Sequence, residues 1–550
     1  MGGVMRGMRI GLVGAAVVAL ALAWSVPAVA GSPTRRAASR PRVLLVGSYH
    51  GRVGTYSSIQ SAVDAAAPGD WVLVGPGDYH ERADYRHDGG AEAAGGAVLV
   101  TTPGIHIRGM DRNTVVVDGT KPGASTCSTA PGDQDLGPRD PTDAQVGRNG
   151  VFVSKVDGVS VENLTACNFL NGHGGGNAIW FNGGDGSGTV GMGSFLGDYL
   201  TATTSYFESG HPQAEYGIFV SNVSGPGVVD HSYASNMADS SYYIGACPDC
   251  QTWLINAHAQ GSALGYSGTN SGGRLVIAAS EFDNNKTGIS TNSQNNDDAP
   301  SPQDGSCPAG LPTTSAIGSC TFFIGNHIHD NNNPNVPSSG SADLGPVGTG
   351  MVVSGGRHDT IAFNRVEHNG AWGVLLVPFP DSSTNPPAVA NCAGGIDHPG
   401  GLLGSLGITC YFDDFANEVV GNAFAGNGFF GNETNGDLGD LSGQHEVGNC
   451  FHGNTNPAGV TTSPANLQTT HGVCGVPNAG ADLFSSLSAQ VICDTEAFGP
   501  CPSTPTQNYP RKTQVALVPL PRQPTMPNPC RGVPRNRWCP HPRDGREDAR

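Results

Sequence analysis

Two acidic residues, Glu215 and Asp239, hold the same place in successive copies of a short repeated segment, three residues before Ile218-Phe-Val-Ser and three before Tyr242-Tyr-Ile-Gly. If those segments are neighbouring strands of a stack, the carboxylates stand about 5 Å apart. That is near the separation of a retaining glycosidase pair, where one carboxylate is nucleophile and the other acid/base. The same oxygens could share a Ca²⁺, or the two residues could be solvated turn positions. His211, four residues before Glu215, is the nearest candidate for proton transfer. Lys286 could serve as the base of a lyase-like proton abstraction.

An aromatic series accompanies the carboxylates. The second position of each copy reads Phe152, Trp180, Phe219, Tyr243, Gly265, Ser290, Val352, Leu375. Side chains alternate along a strand, so steady Val, Ile and Leu at the first and third positions send the second outward. Four aromatics on consecutive coils would form a strip suited to stacking on sugar rings, with Phe152, Trp180, Phe219 and Tyr243 as ligand-binding residues. The alternative is that inserted loops, above all Asn182 to Asp198, fold over the strip and make it a second small core.

These residues require an element that repeats. The strand signature begins at Val151, Ile179, Ile218, Tyr242, Leu264, Ile289, Met351 and Val374, at intervals mostly in the twenties, with the two widest holding insertions. One such unit cannot bury its apolar face alone, so the pattern predicts a solenoid. A second series lies between the strands: Asn326-Ile328-Asn331, Asn364-Val366-Asn369, Asn422-Phe424-Asn427 and Asn449-Phe451-Asn454. Asn tolerates left-handed corners, and its side chains can hydrogen-bond from coil to coil. Two strand types joined by polar corners describe an all-β fold, a parallel β-helix.

The chain resembles the right-handed parallel β-helix proteins of the pectin-lyase-like superfamily over roughly residues 42–460. The likeness starts at Ser57 to Asp70 (SSIQSAVDAAAPGD) and Trp71 to Glu81 (WVLVGPGDYHE), which look like that superfamily's opening helix, turn and strand. It continues in Ile107 to Gly119 (IRGMDRNTVVVDG), which is similar to its first coils. The resemblance implies a capping helix over the open end of the stack. It selects no activity, since the architecture hosts lyases, hydrolases, esterases, epimerases and phage adhesins. Gly172-His173-Gly174 matches an element of polygalacturonase-like hydrolases, but the paired Asp residues expected upstream are missing, and Asp413-Asp414 lies downstream. The Asp-Pro-His sequence of alginate-epimerase-like members is missing as well.

Arg6 and Arg9, the apolar run from Ile10 to Trp24 and Ala28-Val29-Ala30 read as a secretory signal peptide over 1–30, so a secreted, extracellular and cell-surface setting is expected. The fourteen Cys fit disulfides that close loops. Cys247 with Cys250, Cys307 with Cys320, Cys392 with Cys410 and Cys530 with Cys539 are close in sequence, and Cys-Pro-Asp-Cys could also be a redox or metal motif. Residues 461–503 read as a C-terminal loop or cap. From 504 to 550 the chain is Pro-rich, with nine Lys or Arg against three Asp or Glu, which suggests an extended tail or an electrostatic contact with an anionic surface. The formal charge of -18 argues against nucleic acid, and only five basic residues fall between Gly150 and Gly459. A polyuronate would therefore need Ca²⁺ to bridge it to an acidic groove. Two functions are consistent with all this: a lyase- or glycosidase-like enzyme acting on polysaccharide, and a non-catalytic glycan-binding or adhesion protein.

Overall fold

A computed structural model describes residues 40–82, 95–172, 175–295, 320–381, 392, 394–405, 407–481, 485–495 and 508–540. The expected signal peptide, His173 and Cys307 lie outside the described residues. No helix among the described residues is long and apolar enough to cross a membrane.

Three long parallel sheets run the length of the chain. The first has twelve strands, from Val43–Val46 to Cys450–His452; the second has ten, from Gly77–Tyr79 to Ala423–Ala425; the third has eleven, from Gly96–Val100 to Thr462–Ser463. Each full coil gives one strand to each sheet, as in Phe195–Asp198, Thr201–Thr203 and Tyr216–Ser221. The fold is a right-handed parallel β-helix. Its interior is a continuous column of apolar side chains: Phe181, Val220 and Ile244 are paired from coil to coil in the third sheet and fully or almost fully buried.

The corner between the first and second sheets is the same in eight successive coils. Two residues join the strands, and the first of them has a positive φ whatever its type: Asn163, Tyr199, His231, Asn256, Ala279, Gly325, Phe363, Gly421. Only a left-handed residue turns the chain so sharply, so in these eight coils the corner carries no insertion, whereas the coil before them holds 110–114 at the same place. The other two corners accept long ones. The segments 119–148, 204–215 and 332–347 precede third-sheet strands, and 183–194 and the stretch from 378 to 417 follow them.

The corner Asn residues make the expected coil-to-coil hydrogen bonds, but most of them are not the left-handed residue. The left-handed position is usually the residue before them, and the Asn points inward into a ladder. Asn326 Nδ2 donates to Asn364 Oδ1 at 3.0 Å, Asn364 to Asn422 at 2.9 Å and Asn422 to Asn454 at 2.9 Å. A second ladder links Asn285, Asn331, Asn369 and Asn427. Pairing of Phe451 with Val419 moves the Asn449 copy into the first sheet, one corner away from the series it matched by spacing. One strand register also shifts. Tyr266, not Leu264, pairs with Tyr242 and Ile289, so Ser267 replaces Gly265 in the outward column. Leu264 looks like an interior residue in sequence because it is buried, but it is buried from outside, against Ala342 of an insertion.

Both ends are closed. The helix Ile59–Ala65 covers the first coils with Ile59, Ala62 and Val63, and Glu81 accepts from the backbone N–H of Ile59 and Gln60 at its N-terminus, where the helix dipole favours a carboxylate. Leu467, in the short helix Leu467–Thr470, ends the interior column. The helix Ser486–Thr495 instead lies on the outside of the third sheet, where Leu487 meets Leu375 and Val352.

The basic tail is a strap. From Tyr509 beside Trp372 it runs back along the stack, exchanging hydrogen bonds with Asn335, Asn236, Asn113 and Asn163, and ends with Trp538 buried against Leu45, Leu73 and Met110 of the first coils. Arg112, one of the largest fully buried side chains, anchors it by donating to Pro524 O at 3.1 Å and to Thr201, His231 and Leu200 within the coils. The described disulfides join Cys127 to Cys167, Cys247 to Cys250, Cys392 to Cys410, Cys450 to Cys474 and Cys530 to Cys539. The Cys-Pro-Asp-Cys motif is therefore a disulfide rather than a pair of metal ligands.

Candidate functional site

Strand pairing sets the outward column of the third sheet as Leu99, Phe152, Trp180, Phe219, Tyr243, Ser267, Ser290, Val352, Leu375. Its two halves differ. Phe152 and Trp180 stack at 4.5 Å and 13°, and Trp180 and Phe219 at 5.2 Å and 20°. Rings stacked at coil spacing turn their faces to one another and only their edges outward. Phe152 is 7% exposed and Trp180 2%, and together with Leu99 they form a small covered cluster. The indole N–H of Trp180 is satisfied by Ser221 Oγ at 2.9 Å. This half of the strip is packed as a secondary core.

At Tyr243 the stack breaks. Its ring stands edge-on to Phe219, 4.7 Å away at 75°, while Tyr216 stacks on Phe219 from the side. From here the outer face becomes the floor of a cavity of about 730 Å³. Along it the outward column is apolar at its two ends, Phe219 and Tyr243 at one and Val352 and Leu375 at the other, with Ser267 and Ser290 between them; two residues further along the strands of Ser267, Ser290 and Val352 stand Thr269, Asn292 and Ser354, with Thr269 Oγ1 donating to Asn292 Oδ1 at 2.7 Å. The insertions are the walls: Ala342 and Leu344 from the 3-10 turn Gly340–Leu344, Phe379 and Tyr411 from a hairpin, and Val491 and Ile492 from the C-terminal helix. Among the described lining residues there is no Lys, Arg, His or Glu, and Asp239 is the one Asp.

Glu215 and Asp239 do lie on adjacent coils, joined by a backbone bond from Asp239 N to Glu215 O of 3.0 Å. Asp239 sits at the end of the groove and accepts from the Tyr216 hydroxyl at 3.0 Å. Loss of hydration, and then the charge of Glu215, push its carboxyl up to about 7 against the opposing bonds from Tyr216 and Ser240. Tyr216 is itself held well above the usual phenol range, first by burial and then by the Asp239 charge. Glu215 is also raised by burial, but it is tucked behind the groove, with Asn171 Nδ2 on Oε1 and Ser339 Oγ on Oε2 at 3.0 Å. These partners are hydrogen-bond donors. As arranged, both carboxyls are raised by burial and accept hydrogen bonds from Tyr216, Asn171 and Ser339.

The other two expected groups stand elsewhere. His211 is exposed and faces Glu208 at 3.5 Å. Lys286 lies two coils beyond Asp239, and its ammonium donates to Asp343 O at 2.5 Å. Sequence reasoning missed Tyr216 and the polar residues Thr269, Asn292 and Ser354. The polar residues follow from alternation, each standing two after an outward position, but Tyr216 does not: it is two before the inward Ile218, where alternation would turn it inward, yet it stacks on Phe219 in the groove.

No protein-family model and no curated protein matches the chain. Among solved structures it is similar to the A-module of the Azotobacter vinelandii mannuronan C-5 epimerase AlgE4, with 14% identity and a TM-score of 0.36 over 72% of this chain and 90% of that one. It is also similar to the Dettilon tailspike protein (11%, 0.36, 72% and 62%) and to pectate lyase Pel9A (12%, 0.32, 66% and 84%). These are likenesses of fold.

Proposed function

We propose that this protein binds an extended, uncharged glycan in the groove over the third sheet. The observation that carries the proposal is one floor on which two apolar patches, Phe219-Tyr243 and Val352-Leu375, flank a polar stretch of Ser267, Ser290, Thr269 and Asn292. A pyranose ring has the same mixed character, an apolar face and a rim of hydroxyls, and pockets of this kind fix a ligand by apolar contact plus a few placed polar groups. The described lining supports an uncharged ligand. A polyuronate would bring carboxylates against Asp239 with no lining cation to receive them. The disulfides and the expected signal peptide support an extracellular setting for such a ligand.

Asp239 favours a second reading, hydrolysis. A carboxyl near 7 at the end of a sugar-binding groove is placed to donate a proton to a glycosidic oxygen. Calorimetry of the mature protein against neutral and anionic polysaccharides, with and without Ca²⁺, tests the binding reading. Assay of the same mixtures for unsaturated products and new reducing ends tests the catalytic one. Binding of a neutral glycan without product is the expected result. Reducing ends that vanish in Asp239→Asn would establish the second reading, and preference for an anionic polymer would overturn both.

A further inference from the structure

The outer face of the second sheet carries a different constellation. Strands Glu281–Asp283 and His327–His329 are neighbours, with Glu281 opposite His327 and Asp283 opposite His329. Phe282 and Ile328 between them point into the core and are fully buried, so Glu281, His327 and His329 share the outer face. The two imidazoles stack at 3.8 Å. Glu281 Oε1 lies 3.1 Å from His329 Nε2 and 4.0 Å from His327 Nδ1, and one donor atom from each of the three residues lies within 4.8 Å of the others. A tetrahedral ion with bonds of about 2.0–2.1 Å holds its ligand atoms about 3.4 Å apart, between the two measured separations.

The surroundings are those of metal-binding imidazoles. His329 Nδ1 is 2.8 Å from Asp330 Oδ2, which fixes the tautomer that leaves Nε2 toward Glu281. His327 Nε2 faces Glu367 Oε2 at 3.4 Å, and Glu367 is held in turn by Arg365 Nε at 2.6 Å. Each imidazole thus has a carboxylate on the nitrogen that faces away from Glu281. The site is reachable: the side chains of Glu281, His327 and His329 are 46, 33 and 17% exposed. Asp283 is engaged by His258 at 2.5 Å and by Gln260, so it borders the cluster without competing for it.

We propose that Glu281 Oε1, His327 Nδ1 and His329 Nε2 bind one first-row divalent transition ion, Zn²⁺ in the first instance, with solvent in the remaining place. Two imidazoles and a carboxylate with an open position are a donor set that suits Zn²⁺. The ion ties together two coils whose strands are separated in sequence by a long insertion, so it stabilises the fold by mass action. It is independent of the glycan groove, which lies on another sheet.

The test uses the mature, untagged protein after dialysis against chelator. Zn²⁺ titration by calorimetry, visible absorption with Co²⁺ and thermal melts with and without Zn²⁺ are compared for wild type, Glu281→Gln, His327→Ala and His329→Ala. One ion per chain is expected, with a tetrahedral Co²⁺ spectrum and a melting midpoint raised by Zn²⁺. Each substitution should weaken binding about tenfold or more, by comparison with the effect of losing an outer partner, and remove the thermal shift. The nearly isosteric Glu281→Gln keeps the test valid if an alanine variant misfolds. Absence of saturable binding in wild type would overturn the proposal. So would undiminished binding in the variants, which would put the ion at another cluster such as Asp198, Asp230 and His231.

Discussion

The outer faces of the third and second sheets are built on the same coils and back onto the same interior, yet one is walled and largely apolar and the other is open and ionisable. Their corners explain the difference. The third sheet is bordered on both sides by corners that accept insertions, and those insertions rise around it as walls. In eight successive coils the second sheet begins at the two-residue corner whose left-handed residue leaves no room for a loop. Farther along this sheet the outward Glu281, Asp283, His327, His329 and Glu367 stay partly exposed, while near its N-terminal end Asp118 and Cys167 are covered by the 119–148 insertion through Cys127. In this β-helix the interior is common property, and chemistry is assigned by which corners can lengthen.

The largest expected difference between the faces is in stability. Trp180→Ala should cost about 3–5 kcal/mol, as for a buried aromatic elsewhere, because the outer stack of the third sheet is a packed core. His327→Ala on the second face should change stability by less than about 0.5 kcal/mol in metal-free buffer. Denaturant titrations compare the two, and equal losses would break the distinction between a covered and an open face.

The strap gives an intermediate effect. Arg112→Ala removes the guanidinium that joins Pro524 to the coils and takes its hydrogen bonds from the carbonyls of His231 and Pro524 and from Thr201, at about 1–3 kcal/mol. Limited proteolysis should then cut within 508–540 faster than in wild type. Unchanged cleavage would show that the Asn contacts alone hold the strap.

Tyr243→Ala should weaken glycan binding by about 1 kcal/mol, roughly fivefold in Kd, and leave Zn²⁺ affinity untouched. A change in both would mean that the two faces communicate through the coils.

The last expected effect is a pH dependence. The Asp239 carboxyl is raised from 3.8 to about 7, so the native state holds a proton that the unfolded chain has lost between those values. Its contribution to stability is complete below the unfolded value and falls as pH rises toward 7. Asp239→Asn should therefore gain melting temperature over wild type at pH 8 and show little difference at pH 4. Glu215→Gln, by removing the neighbouring charge, should move the wild-type dependence to lower pH.

Much of this was legible in residue order. Alternation at Ile218-Phe219-Val220 told inside from outside, and the equal offsets of Glu215 and Asp239 placed them on adjacent coils. Where it failed, burial had a source that the local pattern does not encode. Leu264 is covered by an insertion and so mimicked a core residue, which displaced one register by two. Asn449 matched a corner series by spacing but belongs to another corner, because the series recurs at more than one corner of each coil. Glu281, His327 and His329 were missed because Glu281 is 46 residues from His327, and only pairing of their strands brings them together.

By itself the sequence determined the repeat, the parallel coils, the inward column and the capping helix, since each depends on alternation or on neighbours a coil apart. Tertiary structure alone decided that Phe152 and Trp180 are covered while Tyr243 borders a cavity, that Lys286 serves a 3-10 turn, and that the basic tail returns along the whole stack. Those outcomes depend on where long insertions fold back. No periodicity fixes that, because an insertion is placed by the surface it finds.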